Sequence, residues 1–196
     1  LMGLGSWRCH RAVAWLKQQG FKFTAVPAPP PWYRMADGGL LLVSRIPIRR
    51  VETRVFQTAA FIDRWAAKGF QHVVLDLGDH EGHVVNAHLQ SGYQRHDVVA
   101  ERVQYAQAQE IQQYLERFIP VESPLWILGD LNITRTHPWY EHVQQLWSVK
   151  DVMAEVEDHT LVCWWDPKGR EKKTTSLLRK EAFHAEPELR KVDHIW

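Results

Sequence analysis

The chain has 196 residues, 45% of them hydrophobic, and carries 24 Lys and Arg against 23 Asp and Glu for a net charge of +1. That is apolar material for one sizeable core and implies one domain over 1–196. The balanced charge excludes nucleic-acid binding through bulk electrostatics alone, two cysteines, Cys9 and Cys163, exclude a disulfide framework, and no apolar run is long enough to cross a bilayer.

Both ends, Leu1-Met2-Gly3 and Trp196, read as cut, so the missing signal peptide leaves the compartment open. Residues 7–19 space Trp7, Ala12, Trp15 and Leu16 as a helix does, with Ser6 and Gly20 as its caps. Phe21 to Val26 alternates as a strand. The proline run 27–31 must be a loop. Trp32 and Tyr33 after it read as aromatics tucked against the body, with a substrate or membrane contact as the alternative. Asp37-Gly38-Gly39 is a turn before the buried strand Leu40-Leu41-Leu42-Val43-Ser44-Arg45. Val51 to Gln57 suits an antiparallel neighbour. Phe61 to Lys68 reads as irregular. Gln71 to Leu77 and His83 to Leu89 form a hairpin around Asp79-His80-Glu81-Gly82, which places His80 and His83 in solvent. Asp97 to Phe118 is the longest periodic stretch, with Asp97 as N-cap, Val99, Val103, Ala106, Ile111 and Leu115 as its apolar stripe and its glutamines from Gln104 to Gln113 on a solvated face.

Trp126-Ile127-Leu128-Gly129-Asp130-Leu131-Asn132 ends an apolar strand abruptly. It sets Asp130 and Asn132 two residues apart, hence on one side of the strand end. Such a pair can hold a hard cation, orient a water or contact a phosphate; an Asp-x-Asn turn is the plain alternative. A helix over 138–147 follows, then a charged, loop-rich stretch and one more strand at Lys191-Val192-Asp193-His194-Ile195-Trp196. Strand pairs with a helix between them predict an α/β sandwich.

Four segments taken in order carry a resemblance: Asp37 to Ile48, Asn86-Ala87-His88-Leu89-Gln90, Gly129-Asp130-Leu131-Asn132 and Val192-Asp193-His194-Ile195. Together they resemble the endonuclease/exonuclease/phosphatase superfamily, which implies the deoxyribonuclease-I-like fold, an α/β sandwich of two mainly antiparallel sheets flanked by helices, here truncated at both ends. Within the superfamily the chain is most similar to sphingomyelinase-type phosphodiesterases of the phospholipase C kind. Asp63 to Phe70 resembles their Asp-x-x-Ala-Asn-Lys-Gly-Val, His88-Leu89-Gln90-Ser91 their Thr-His-Leu-Gln-Ser, and the helix with Arg102, Gln107 and Glu110-Ile111 their Arg-x-x-Gln-x-x-Glu-Ile. Thr160 with Trp165-Asp166-Pro167 is similar to their Thr-Trp-Asp loop. Ala67 stands where the family often has Asn, and Ala87 where it has Thr.

The resemblance implies a phosphodiester hydrolase dependent on Mg²⁺ or another divalent cation. Asp130 and Asn132 are expected at the metal and phosphate, with Asp130 orienting or deprotonating the attacking water. His88 is expected to contact the phosphate or protonate the leaving group. Asp193 is expected to orient a catalytic histidine of a Ser-Asp-His segment, for which His194, pointing the other way along its strand, is a poor substitute. Lys68 and Trp165 are expected at the substrate, Trp164-Trp165 through cation–π contact with a choline-type headgroup. The sequence shows no such Ser-Asp-His segment after Asp193, and the N-terminal residues show no match to the family's early metal-binding Glu; without that general acid/base the chain as given is expected to be nearly inactive. The expected partner is a lipid headgroup, with peripheral membrane contact and a monomeric state; secretion is an option the resemblance leaves open. A nuclease, an inositol-polyphosphate phosphatase and a catalytically dead interaction module on the same fold are the alternatives.

Overall fold

The computed structural model describes residues 7–26, 29–92, 98–152, 161–165, 171–174, 188–190 and 193–195, and the side chains within 9–152 of these. Helix α1 (Trp7–Gln18) leads to β1 (Phe23–Ala25), followed by β2 (Ala36–Asp37), β3 (Leu42–Ser44) and β4 (Ile48–Val55). A 3-10 helix, Phe61–Trp65, runs into β5 (Ala66–Ala67), and β6 (Gly69–Asp76) and β7 (Glu81–His88) form a hairpin. Then come α2 (Val98–Phe118), β8 (Leu125–Asp130), α3 (Tyr140–Trp147), β9 (Leu161–Trp165), β10 (Glu171–Thr174), β11 (Glu188–Arg190) and β12 (Asp193–Ile195).

A five-stranded sheet in the order β12-β8-β7-β6-β4 organises the structure. Its pairings are antiparallel except β7–β8, whose parallel run follows from the α2 crossover between them. Strands β6 and β7 are buried at almost every position, because the sheet is covered on both faces. Phe70, Val85, Ala87 and Ile127 pack on one face with Ala108, Ile111 and Leu115 of α2 and Val143 and Trp147 of α3. On the other, Val73, Leu75 and Val84 pack with Ala25 of β1 and Leu42 of β3. Smaller pairings, β1–β3, β2–β5 and β10-β9-β11, lie outside the main sheet.

The layered α/β arrangement is the one expected, and several local readings change. Phe61 to Ala67 is ordered, since β5 pairs in parallel with β2. Helix α3 starts at Tyr140, two residues later than expected. His83 is buried, not solvent-facing, because the hairpin turn closes before it and its ring stacks on His72. Gln104 and Gln107 are buried on α2, while Val99 in its first turn is exposed. Trp32 is 96% exposed and Tyr33 54%, so neither is tucked against the body. Asp97, Thr160, Asp166 and Pro167 lie outside the described residues.

Candidate functional site

The ends of β7, β8 and β12 bring the expected residues together. In the parallel β7–β8 ladder His88 is the register partner of Asp130. In the antiparallel β8–β12 ladder Asp130 is also the partner of Asp193. Residues distant in the chain therefore stand side by side on neighbouring strands. The close approach of β7 and β8 needs Gly129: its φ is 121°, and a Cβ there would lie 2.1 Å from the Ala87 carbonyl oxygen.

His88 lies on the same face of β7 as Val84 and Asn86, beneath the loop that joins β2 to β3. Its Nδ1 donates to the Gly38 carbonyl at 2.7 Å. A carbonyl only accepts, so Nδ1 carries the proton and Nε2 presents a lone pair in the neutral ring. Burial, reinforced by the positive Lys68 nearby, pushes the His88 pKa down to about 4. Nε2 faces Oδ2 of Asp130 at 3.7 Å. The other oxygen, Oδ1, accepts the Asn132 backbone N–H at 3.2 Å. Asn132 adopts φ 52°, a left-handed conformation that Asn tolerates better than most residues. Its Nδ2 donates to the Leu89 carbonyl at 3.1 Å. The Asp-x-Asn turn and the expected pairing of Asp130 with Asn132 are thus one arrangement, in which the turn points a carboxylate at the imidazole nitrogen of His88.

Lys68 is placed differently from its expected substrate contact. It is buried, and its ammonium pairs with Asp63 Oδ2 at 2.8 Å while donating to the Leu89 carbonyl at 2.9 Å and Ser91 Oγ at 2.7 Å. An ammonium has three N–H donors, so a phosphate would reach Lys68 only by displacing these partners. Lys68 underpins the floor of the site instead. Trp165 pairs with Glu171 between β9 and β10, and its side chain, like that of Asp193, lies outside the described residues.

Further residues support the site, among them glutamines expected on a solvated face. Gly38 orients His88 through its carbonyl and packs so tightly that a Cβ would lie 2.3 Å from the Ala67 carbonyl oxygen. From α2, Gln104 Nε2 donates to the carbonyls of Gln90 and Asn132 at 2.8 and 3.1 Å. Gln107 accepts the Gln90 N–H and donates to the Thr58 carbonyl, both at 2.8 Å. Glu110 accepts from the backbone of Gln57 and Thr58. The available signal was the helical spacing of Gln104, Gln107 and Ile111, which puts the amides on the stripe that contains the apolar residues.

Among the described residues, no group of three or more His, Cys, Asp or Glu side chains converges as a metal site. Asp130 with Asn132 is a partial oxygen-donor set. It fits a small hard cation that keeps most of its waters and takes further ligands from a phosphate, not an all-protein cage.

No family model matches the chain. It is 28% identical over 138 residues to a phospholipase C of Staphylococcus aureus, covering 68% of this chain and 40% of that protein. It is 26% identical over 167 residues to a sphingomyelinase C of Listeria ivanovii, covering 84% and 47%. The chain therefore spans less than half the length of these relatives. Among solved structures, a beta toxin of Staphylococcus aureus superposes with a TM-score of 0.77 at 20% identity, covering 96% of this chain and 67% of that one. A beta toxin variant with bound magnesium ions superposes at 0.73 and 21% identity, covering 95% and 66%.

Proposed function

We propose that this chain, which has the deoxyribonuclease-I-like fold of the endonuclease/exonuclease/phosphatase superfamily and resembles its sphingomyelinase-type phosphodiesterases, carries the phosphate end of a divalent-cation-dependent phosphodiester hydrolase. Residues 1–196 would be part of one such domain, and the substrate a phosphocholine-type lipid headgroup. The observation that supports this most is the lateral register of His88, Asp130 and Asp193 across adjoining strands, with Asn132 turned back beside them.

Asp130 and Asn132 would hold the cation, Mg²⁺ in the relative whose structure contains it. When bound, it supplies charge neutralisation on the phosphoryl oxygens. The chain's own groups then divide the remaining work. Asp130, held by the Asn132 N–H, orients or deprotonates the attacking water. His88, neutral near physiological pH, accepts a hydrogen bond at Nε2, and a phosphate brought against that nitrogen would raise its proton affinity. A phosphoryl oxygen only accepts, so His88 would contact it by taking up a proton at Nε2 and donating it. Asp193 would orient a further catalytic group. The net charge of +1 gives nucleic acid no comparable support.

Calorimetric titration of the chain tests this with phosphocholine, an abasic DNA oligomer and an inositol polyphosphate, each with Mg²⁺ and with a chelator. Saturable, Mg²⁺-dependent binding of phosphocholine, lost in Asp130→Ala, is expected. Preference for DNA or inositol polyphosphate would reassign the substrate, and binding indifferent to both Mg²⁺ and Asp130 would remove the site.

A further inference from the structure

The two segments that flank the candidate site present their apolar side chains outward and hide their one acid. In the 3-10 helix Phe61–Trp65, Ile62 is 68% exposed and Phe61, Arg64 and Trp65 are exposed, whereas Asp63 is only 3% exposed. Asp63 faces inward because it pairs with the buried Lys68. In the adjoining loop Trp32, Tyr33 and Met35 are exposed, and Arg34 is the one charged residue of 29–35. The two segments are tied together: Met35 N–H donates to the Trp65 carbonyl at 2.7 Å, the Arg34 guanidinium contacts the Arg64 carbonyl, and β2 pairs with β5. A water-facing surface normally shows the reverse polarity, and contiguous exposed apolar side chains mark an interaction site.

The display is also built rigidly. Phe61 has φ 50°, a strained conformation for a bulky side chain. It follows residues pinned from below, where Ala60 N–H donates to Gln90 Oε1 at 2.9 Å and Gln57 and Thr58 donate to Glu110. The patch adjoins the site directly: β2 leads into Gly38, whose carbonyl holds His88, and β5 leads into Lys68, which bonds the Leu89 carbonyl.

We infer that Trp32, Tyr33, Met35, Ile62 and Trp65, with the exposed Arg64, form a membrane-docking surface that seats in the headgroup layer of a phospholipid bilayer beside the candidate site. Trp and Tyr settle at the water–lipid boundary, arginines pair with lipid phosphates, and an absence of outward carboxylates on these segments avoids repulsion from them. Trp32, which projects almost wholly into solvent, suits a fluid layer that closes around it better than a preformed protein socket. The inference deepens the lipid-headgroup reading and rests on it, but its test uses neither turnover nor headgroup binding.

The full chain is sedimented with vesicles of phosphatidylcholine, alone and mixed with phosphatidylserine. Wild type is expected to partition to both, more strongly with the anionic lipid. Ile62→Asp and the double variant Trp32→Ala/Trp65→Ala should lower the partition coefficient about tenfold or more, with thermal unfolding and calorimetric phosphocholine binding unchanged. Val121→Asp, on an exposed hydrophobic remote from the patch, should bind as wild type. No vesicle binding by wild type, equal loss in Val121→Asp, or self-association through the patch without lipid binding would each overturn the inference. Vesicle binding that persists when phosphocholine titration fails would leave the docking surface standing and remove the headgroup chemistry.

Discussion

At the scale of single residues, the site depends on close backbone approaches that admit no substitute. Gly129 combines a positive φ with a neighbouring carbonyl where a Cβ would sit, at the point where His88 meets Asp130. Gly129→Ala should destabilise the protein by about 3 kcal/mol or more, measured by urea unfolding, because strain and overpacking act together; a loss below about 1 kcal/mol would mean the strands separate freely there. Lys68 shows a different dependence. Lys68→Ala removes the partner of a buried carboxylate and should cost about 3–5 kcal/mol, whereas Lys68→Ala with Asp63→Ala should recover part of that loss. Equal unfolding midpoints for the single and double variants would contradict the ion pair as described. The position of Asp130 and Asn132 at the end of β8 was legible because the apolar run stops abruptly at Gly129. The inward turn of Lys68 was not, since a lysine in sequence reads the same whether it meets a phosphate or a buried aspartate.

At the scale of elements, α2 acts as the polar scaffold of the site. Its amides and Glu110 reach the loop after β7, the turn after β8 and the loop at 57–60. Gln107→Leu keeps the volume but orphans the buried Gln90 N–H and the Thr58 carbonyl, a loss of about 1–3 kcal/mol per unsatisfied group in chemical denaturation. Gln113→Leu, on the exposed side of the same helix, should change stability by less than about 0.5 kcal/mol. Similar costs at the two positions would return the glutamines to the solvated face the sequence suggested. That reading failed because amides are counted as polar when a helix is divided into faces, although a buried amide is stable wherever backbone groups need partners. The same blindness applied to the 3-10 helix, whose five residues are too short to show a period. Strand β6, β7 and β8 positions were legible because long apolar runs ending in Gly or a turn leave few other solutions.

At the scale of the whole molecule, histidines couple stability to pH. His72 Nε2 and His83 Nδ1 meet at 2.8 Å, and His72 Nδ1 meets the Tyr114 hydroxyl at 3.0 Å, which donates onward to Glu52 at 2.8 Å. Burial pushes the His72 pKa down to about 4 and lowers that of His83 as well. In the unfolded chain a histidine takes its proton near pH 6.5, so between about 6.5 and 4 the unfolded state holds more protons and acid favours it. Stability should therefore be full above about pH 6.5 and fall on acidification by at most about 1.4 kcal/mol per pH unit for each such histidine. The urea midpoint should drop between about pH 7 and pH 5, and the drop should shrink in His72→Gln; a flat profile would contradict the buried, neutral pair. The overall layering was foreseeable from strand pairs separated by a long helix, but burial of His83 depended on where the hairpin turns, a matter of one or two residues.

Everything proposed for the site turns on an imidazole held by Gly38 whose Nε2, beside Asp130, takes up a proton as a cation-bound phosphate arrives. NMR of the His88 ring nitrogens tests it most directly. Expected are a proton on Nδ1 and a bare Nε2 at neutral pH, an Nε2 signal that moves when Mg²⁺ and phosphocholine are added together, and no such movement in Asp130→Ala. A proton on Nε2 in the free protein, or an Nε2 signal indifferent to Mg²⁺ and phosphocholine, would contradict it.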